Sequence, residues 1–308
     1  MNPILMLCSK IVKKFFKASG ILAFLFLSVA QASPLTDVTG ATVQVQSHPV
    51  RIVTLAPSLG ELVFELTGTS DHLVGVSEYT DFPLELKKIK TIGPYAHFSL
   101  ESVFALKPDL ILATADGNSK DQISHLRELG LPVLVVATET FGQIENSIAL
   151  ISTALGQEKS GLALIEKLRT GLKKIQAEVR KRNAAGPRIR VLLQLGDDPV
   201  IVVGHGSFLH EAIGLVGGEN VYADSTSHYP RPSIEDVVQK NPDVILILAL
   251  NDDLGAFEKM ARKWERFSKL KSVQNHHIRI LHADALLRPT GRLVEGLRLL
   301  MEGIHGRE

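Results

Sequence analysis

Residues 99–113 read SLESVFALKPDLILA, and residues 233–247 read SIEDVVQKNPDVILI. At a constant offset of 134, seven of the 15 paired positions are identical: Ser99/Ser233, Glu101/Glu235, Val103/Val237, Pro108/Pro242, Asp109/Asp243, Ile111/Ile245 and Leu112/Leu246. Each unit has the same physical grammar. A serine stands where a helix needs an N-cap, and a glutamate sits in the first turn, where the helix dipole favours negative charge. Pro-Asp ends the helix, and an aliphatic run follows as a buried strand. Helix, Pro-Asp and strand recur in many α/β proteins. The shared Ser, Glu and strand pattern point further, to two duplicated halves. Tyr95 and Tyr229 stand at the same offset, four residues before the serine of each unit. The chain has only four tyrosines and one tryptophan, which gives the match weight. If the halves face each other, these rings would flank a cleft suited to a bulky ligand with flat apolar faces. They could also pack against their own lobes.

Strand–helix alternation continues on both sides of the repeat. Short apolar runs at 51–55, 73–76, 110–113 and 133–136 read as strands, with helical segments at 58–66, 121–129 and 143–155. Ser58 is a candidate N-cap of the first helix, with Glu61 in the capping-box position. Strands at 189–194, 200–203, 244–248 and 278–281 and a helix at 208–216 follow in the second half. Between the halves, Leu162, Ile165, Leu168, Leu172, Ile175 and Val179 recur every three or four residues among Lys, Arg and Glu. That is one apolar stripe on a helix over 157–183, about 40 Å long at about 1.5 Å per residue. Ala184-Ala185-Gly186-Pro187 ends it. The expected fold class is α/β, with two Rossmann-like lobes (33–156 and 187–308) joined by one long α-helix (157–186). A stiff single connection predicts little hinge motion.

The N-terminus reads as an address. Lys10, Lys13, Lys14 and Lys17 precede an apolar run from Ile21 to Ala30, and Ala30-Gln31-Ala32 has the small-x-small pattern of a cleavage site. The run is short for a membrane span, which needs about 20 residues. Residues 1–32 are therefore expected to be a signal peptide cleaved after Ala32; an uncleaved anchor is the alternative. The only cysteine, Cys8, precedes the apolar run, which argues against lipoprotein processing. Removal of 1–32 leaves 30 Lys+Arg against 33 Asp+Glu, a net charge of −3 with no cysteine. That balance excludes a disulfide framework or a multi-Cys zinc site and shows no basic excess for nucleic acid. Export makes ATP- or NAD-dependent chemistry a poor expectation, and no cofactor is expected.

The combination resembles a known family: the helical-backbone (class III) periplasmic substrate-binding proteins of ABC importers for cobalamin, ferric siderophores and haem. The local carriers are RIVTLAPSLGEL, VGVSEYTDFP, ALKPDLILA, GGENVYAD and SIEDVVQKNPDVIL, spread over residues 51–304. The cobalamin branch is the most similar. The resemblance implies that Tyr79, Tyr95, Tyr229, Asp284 and Arg288 contact the ligand, with tyrosines at 95 and 229 where that branch usually carries Trp. It also implies that Glu101 and Glu235 dock the two lobes onto arginines of an inner-membrane permease. Two equivalent surface acids on two lobes would suit a two-fold partner in any case, although each could simply be a dipole partner facing water. Asp284 and Arg288, four residues apart, could be a surface ion pair. A tyrosine hydroxyl can ligate ferric iron, which keeps haem and iron chelates open. The expected protein is a periplasmic, monomeric carrier of a metal chelate, not an enzyme.

Two other classes fit parts of the chain. Ala56-Pro57-Ser58-Leu59-Gly60 sits between a strand and a helix, like a hydrolase nucleophile elbow, with His205 or His282 as base; helix capping by Ser58 explains the same residues. The eleven histidines include His205/His210 and His276/His277, but no HExxH motif or Cys pair accompanies them, so a bare metal-ion receptor is disfavoured.

Overall fold

The structure, a computed structural model, describes residues 33–183, 186–249, 254–282 and 284–306. The expected signal peptide and the Ala184-Ala185 helix stop lie outside the described residues. The first lobe opens with an antiparallel pair, β1 (Ser33–Thr36) and β2 (Thr42–Val45). Its sheet is formed by β3 (Ile52–Thr54), β4 (Leu73–Val76), β5 (Leu110–Thr114) and β6 (Val133–Val136), all parallel, in the order β4-β3-β5-β6. Every residue of β3, β5 and β6 is buried, which is why these strands read as unbroken aliphatic runs. Helices α1 (Pro57–Thr67), α2 (Leu100–Ala105), α3 (Lys120–Glu128) and α4 (Phe141–Ala154) connect and cover them. Ser119 caps α3, and Thr140 with Gln143 forms a full capping box on α4.

Helix α5 (Glu158–Asn183) runs 26 residues, about 39 Å. The second sheet is built on β7 (Ile189–Asp197), which pairs in parallel with β10 (Val244–Leu248) and β9 (Gly218–Asn220) and antiparallel with β8 (Val200–Val202). β11 (Ile278–Leu281) joins the outer edge of β10. Helices α6 (Phe208–Leu215), α7 (Ile234–Lys240), α8 (Leu254–Glu265), α9 (Lys271–Gln274), α10 (Asp284–Leu287) and α11 (Leu293–His305) complete it. No helix among the described residues is long and apolar enough to cross a membrane.

The repeat is structural. Ser99 and Ser233 each cap their helix by accepting the N–H three residues on, from Ser102 and Asp236. The Pro-Asp acids do the same job twice: Asp109 accepts the N–H of Val50 and Arg51 at the mouth of β3, and Asp243 accepts the N–H of Arg190 at the start of β7. The offset also pairs Lys107 (φ 46°) with Asn241 (φ 45°), both left-handed at the end of their helices.

Two helices belong to both lobes. Leu164, Ile165 and Leu168 of α5 pack into the first core, and Ile175 and Val179 pack into the second. α11 does likewise: Leu293 lies in the first core, Leu297, Leu300, Met301 and Ile304 in the second. They cross at Gly171, where an added Cβ would meet Val294.

One local expectation is corrected. Ser58 does not cap α1. The N-cap is Ala56, with Pro57 in the first turn, and no side chain caps this end. Proline's fixed φ and missing N–H suit that first position, so the helix starts without a capping hydroxyl. Glu61 is not part of a capping box; it turns inward and is 3% exposed.

Candidate functional site

A cleft of about 650 Å³ opens between the halves at the carboxyl ends of the first sheet's strands. The strand ends and turns of the first lobe supply Ala56, Pro57, Ser58, Glu78, Tyr79, Tyr95, Thr114, Asp116 and Thr138; Tyr229, Asp284, Leu287, Arg288 and Pro289 come from the second half of the chain. All five residues expected to contact a ligand therefore line one cavity. A larger surface groove, beneath α5 and α6, contains none of them.

The tyrosines differ in how they are held. Tyr95 is partly buried against the first core, and its hydroxyl lies 2.8 Å from Thr114 Oγ1. Asn118 ties this corner together by donating to the carbonyls of Leu55 and Tyr95, both at 2.8 Å. An added Cβ at Gly117 would overlap the Tyr95 ring, so the close approach requires glycine. Tyr229 is 48% exposed. Burial, and then the Asp116 carboxylate, push both phenols above their ordinary range; Tyr229 adds to the effect on Tyr95, and Glu139 to that on Tyr229. Tyr79 is 76% exposed at φ 63°, a left-handed backbone that is uncommon for a bulky residue and that collects at functional sites.

Arg288 holds that backbone. Its Nη2 donates to the Tyr79 carbonyl at 3.0 Å and to Asp81 Oδ1 at 2.7 Å, and its Nε stands 2.9 Å from Asp284 Oδ1. The Asp284–Arg288 pair is no simple surface contact, since Arg288 is 9% exposed. Arg292 grips Glu61 with two bonds, Nε to Oε1 at 2.5 Å and Nη2 to Oε2 at 2.9 Å, and reaches Asp284 at 3.0 Å. Thr290 donates to Glu61, and the Gly291 N–H donates to Glu65. The loop 288–292 is thus clamped to α1 directly beneath the cleft. No sequence pattern marks Asp81, Arg292 or Asp116, and Glu61 reads from sequence only as a capping-box residue.

Glu101 and Glu235 stand away from the cleft, exposed in the first turns of α2 and α7. Bonds to its own backbone N–H and to Ser233 hold the Glu235 carboxyl below its usual range.

Two α/β lobes sharing two through-running helices, with a ligand-sized cavity walled by both halves, define a two-lobed solute-binding protein. The family model for periplasmic binding proteins matches residues 52–285, and the chain belongs to that family. It is 33% identical over 247 residues to the vitamin B12-binding protein of Vibrio cholerae, covering 80% of this chain and 86% of that one. It is 30% identical over 275 residues to YvrC of Bacillus subtilis, an uncharacterized ABC transporter substrate-binding lipoprotein, covering 88% and 85%. Among solved structures, the periplasmic vitamin B12-binding protein BtuF of Vibrio cholerae superimposes with a TM-score of 0.73 at 31% identity, covering 83% of this chain and 96% of that one. The fold is therefore that of the class III binding proteins. The family binds solutes for ABC transporters and is not enzymatic, so the elbow-like turn at Ser58 belongs to the cavity wall.

Proposed function

We propose that this protein captures a cobalamin-type corrinoid in the cleft between its lobes and hands it to an ABC permease of the inner membrane. The observation that carries the reading is the meeting of Tyr79, Tyr95, Tyr229, Asp284 and Arg288 in one cavity, from segments more than 200 residues apart. Three aromatic rings offer flat apolar faces, and the carboxylates and backbone-bound arginine set polar points around them. The vitamin B12-binding relatives support the same cargo. Arg288 acts chiefly by fixing Tyr79 and Asp284. Ferric siderophore or haem is the other cargo to weigh. Holding iron would call for a tyrosine oxygen as ligand, and the Tyr95 hydroxyl is already engaged with Thr114 at 2.8 Å.

In this reading residues 1–32 are a signal removed after Ala32, 33–156 and 187–308 are the two lobes, and 157–186 links them. The mature protein works as a periplasmic monomer, without a cofactor. Glu101 and Glu235 are the permease contacts. The test is calorimetry and visible absorption of purified protein titrated with cyanocobalamin, haemin and a ferric siderophore panel. Tight 1:1 cobalamin binding is the expected result. A shifted haem or iron charge-transfer band without cobalamin heat would overturn it.

A further inference from the structure

The charge inside the cleft has its own consequence, which rests on the cleft being the ligand site. Four of the described lining residues belong to types charged at neutral pH: Glu78, Asp116, Asp284 and Arg288. Among the described lining residues Arg288 is the one cation; acids surround it, although its buried Nη1 makes no hydrogen bond. Asp81 and Asp284 pair with Arg288, and Glu61 stands 3.6 Å from its Nη1. Asp116 is bonded by the Thr138 hydroxyl at 2.9 Å, and among the described residues neither Asp116 nor Glu78 forms an ion pair with Lys or Arg. The cavity therefore presents uncompensated negative charge between its aromatic rings. The field reaches the rings, since Asp116 disfavours ionisation of both Tyr95 and Tyr229. Water screens part of this field, because Asp116 is exposed, but like charge brought into the cleft is still penalised.

We infer that the cleft selects metal chelates with no net negative charge, with amide or ammonium donors facing its carboxylates, and that Asp116 is the specificity-determining residue that repels anionic chelates. Corrinoids bearing intact side-chain amides fit the rule, as do cationic hydroxamate–iron complexes. Polycarboxylate and catecholate iron complexes and haem, with its propionates, do not. Asp116 does not shape the cavity wall by packing: it is exposed, and among the described residues its side chain is hydrogen-bonded by Thr138.

The experiment compares wild type with Asp116→Asn by calorimetry at low ionic strength, using pairs of chelates that differ in charge. One pair is cyanocobalamin and its monocarboxylate, in which one side-chain amide is hydrolysed. The other is cationic ferrioxamine B and anionic ferric enterobactin; haemin is added as a further anion. Wild type should bind the anionic member of the productive pair at least about tenfold more weakly, and Asp116→Asn should shrink that ratio severalfold, as should added salt. Equal affinities within the cobalamin pair, or a ratio unmoved by Asp116→Asn, would overturn the inference while leaving cobalamin capture intact. Binding of ferrioxamine B with enterobactin rejected and no cobalamin heat would overturn cobalamin capture while sustaining the charge rule. Tightest binding to an anionic chelate, or silence from every probe, would overturn both.

Discussion

Glu61 is the residue whose surroundings say most about how the cleft is kept in shape. It is 3% exposed and is bonded by Arg292 and Thr290, which lie 231 and 229 positions away in the chain. A buried ion pair is weak evidence of net stabilisation, because desolvation opposes the Coulombic gain. Removing one partner is a different matter, since it leaves the other charge buried and unpaired. Glu61→Ala is therefore expected to lower the unfolding free energy by about 3–5 kcal/mol in urea titrations. Asp284→Ala, whose side chain is 53% exposed, should cost under about 1 kcal/mol. Comparable small losses for both would mean that water already screens the cluster. At this scale the sequence was partly legible. Tyr95 and Tyr229 stood out because the repeat pairs them, and Tyr79, Asp284 and Arg288 because of family resemblance. Glu61 read locally as a capping residue, and no local pattern shows a partner at the far end of the chain. Asp116 sits in a turn of small and polar residues, where an acid is unremarkable, and only the folded cavity makes it a wall of the site.

The crossing of α5 and α11 is an element-scale device with a sharp consequence. Glycine inside a helix ordinarily costs about 1 kcal/mol relative to alanine, so Gly171→Ala should stabilise α5 if nothing else intervened. Here the added Cβ would stand 2.5 and 2.7 Å from the two Val294 methyls and 3.1 Å from its Cβ. With two methyls on three positions of the valine Cβ, every rotamer leaves at least one methyl facing the new Cβ. Gly171→Ala is expected to destabilise, and adding Val294→Ala should turn the same change favourable, with a coupling of about 1 kcal/mol or more in the double-mutant cycle. Additive effects would place the helices further apart than the structure has them. Elements were the most legible level. Strands at 133–136, 244–248 and 278–281 fall where their aliphatic runs predict, and the α5 stripe marked that helix to within a residue. The short β1–β2 pair carries alternation over only four residues per strand, too little to stand out. The α11 stripe of Leu293, Leu297, Leu300, Met301 and Ile304 is as regular as that of α5. What spacing cannot show is that its first turn belongs to one core and the rest to the other.

At the scale of the molecule, duplication and stiffness act together. Among the described residues, two helices are anchored in both cores, so the spacing between equivalent points on the two lobes is expected to change little. Glu101 and Glu235 are such points, each in the first turn of a helix capped by an equivalent serine. Both are exposed, and neither lines the cleft. A permease with two-fold symmetry could meet them with two equivalent basic sites, and a fixed spacing would make both contacts in one encounter. Because each side chain faces solvent, reversing its charge removes little from the fold. The double variant Glu101→Lys/Glu235→Lys should therefore keep its affinity for cyanocobalamin in calorimetry and lose uptake in cells that depend on this protein for import. Either single variant should retain partial uptake, since one grip survives. Undiminished uptake by the double variant would remove both residues from the docking surface. Loss of cobalamin binding would show that the charges are felt within the cleft after all, which their absence from its lining argues against.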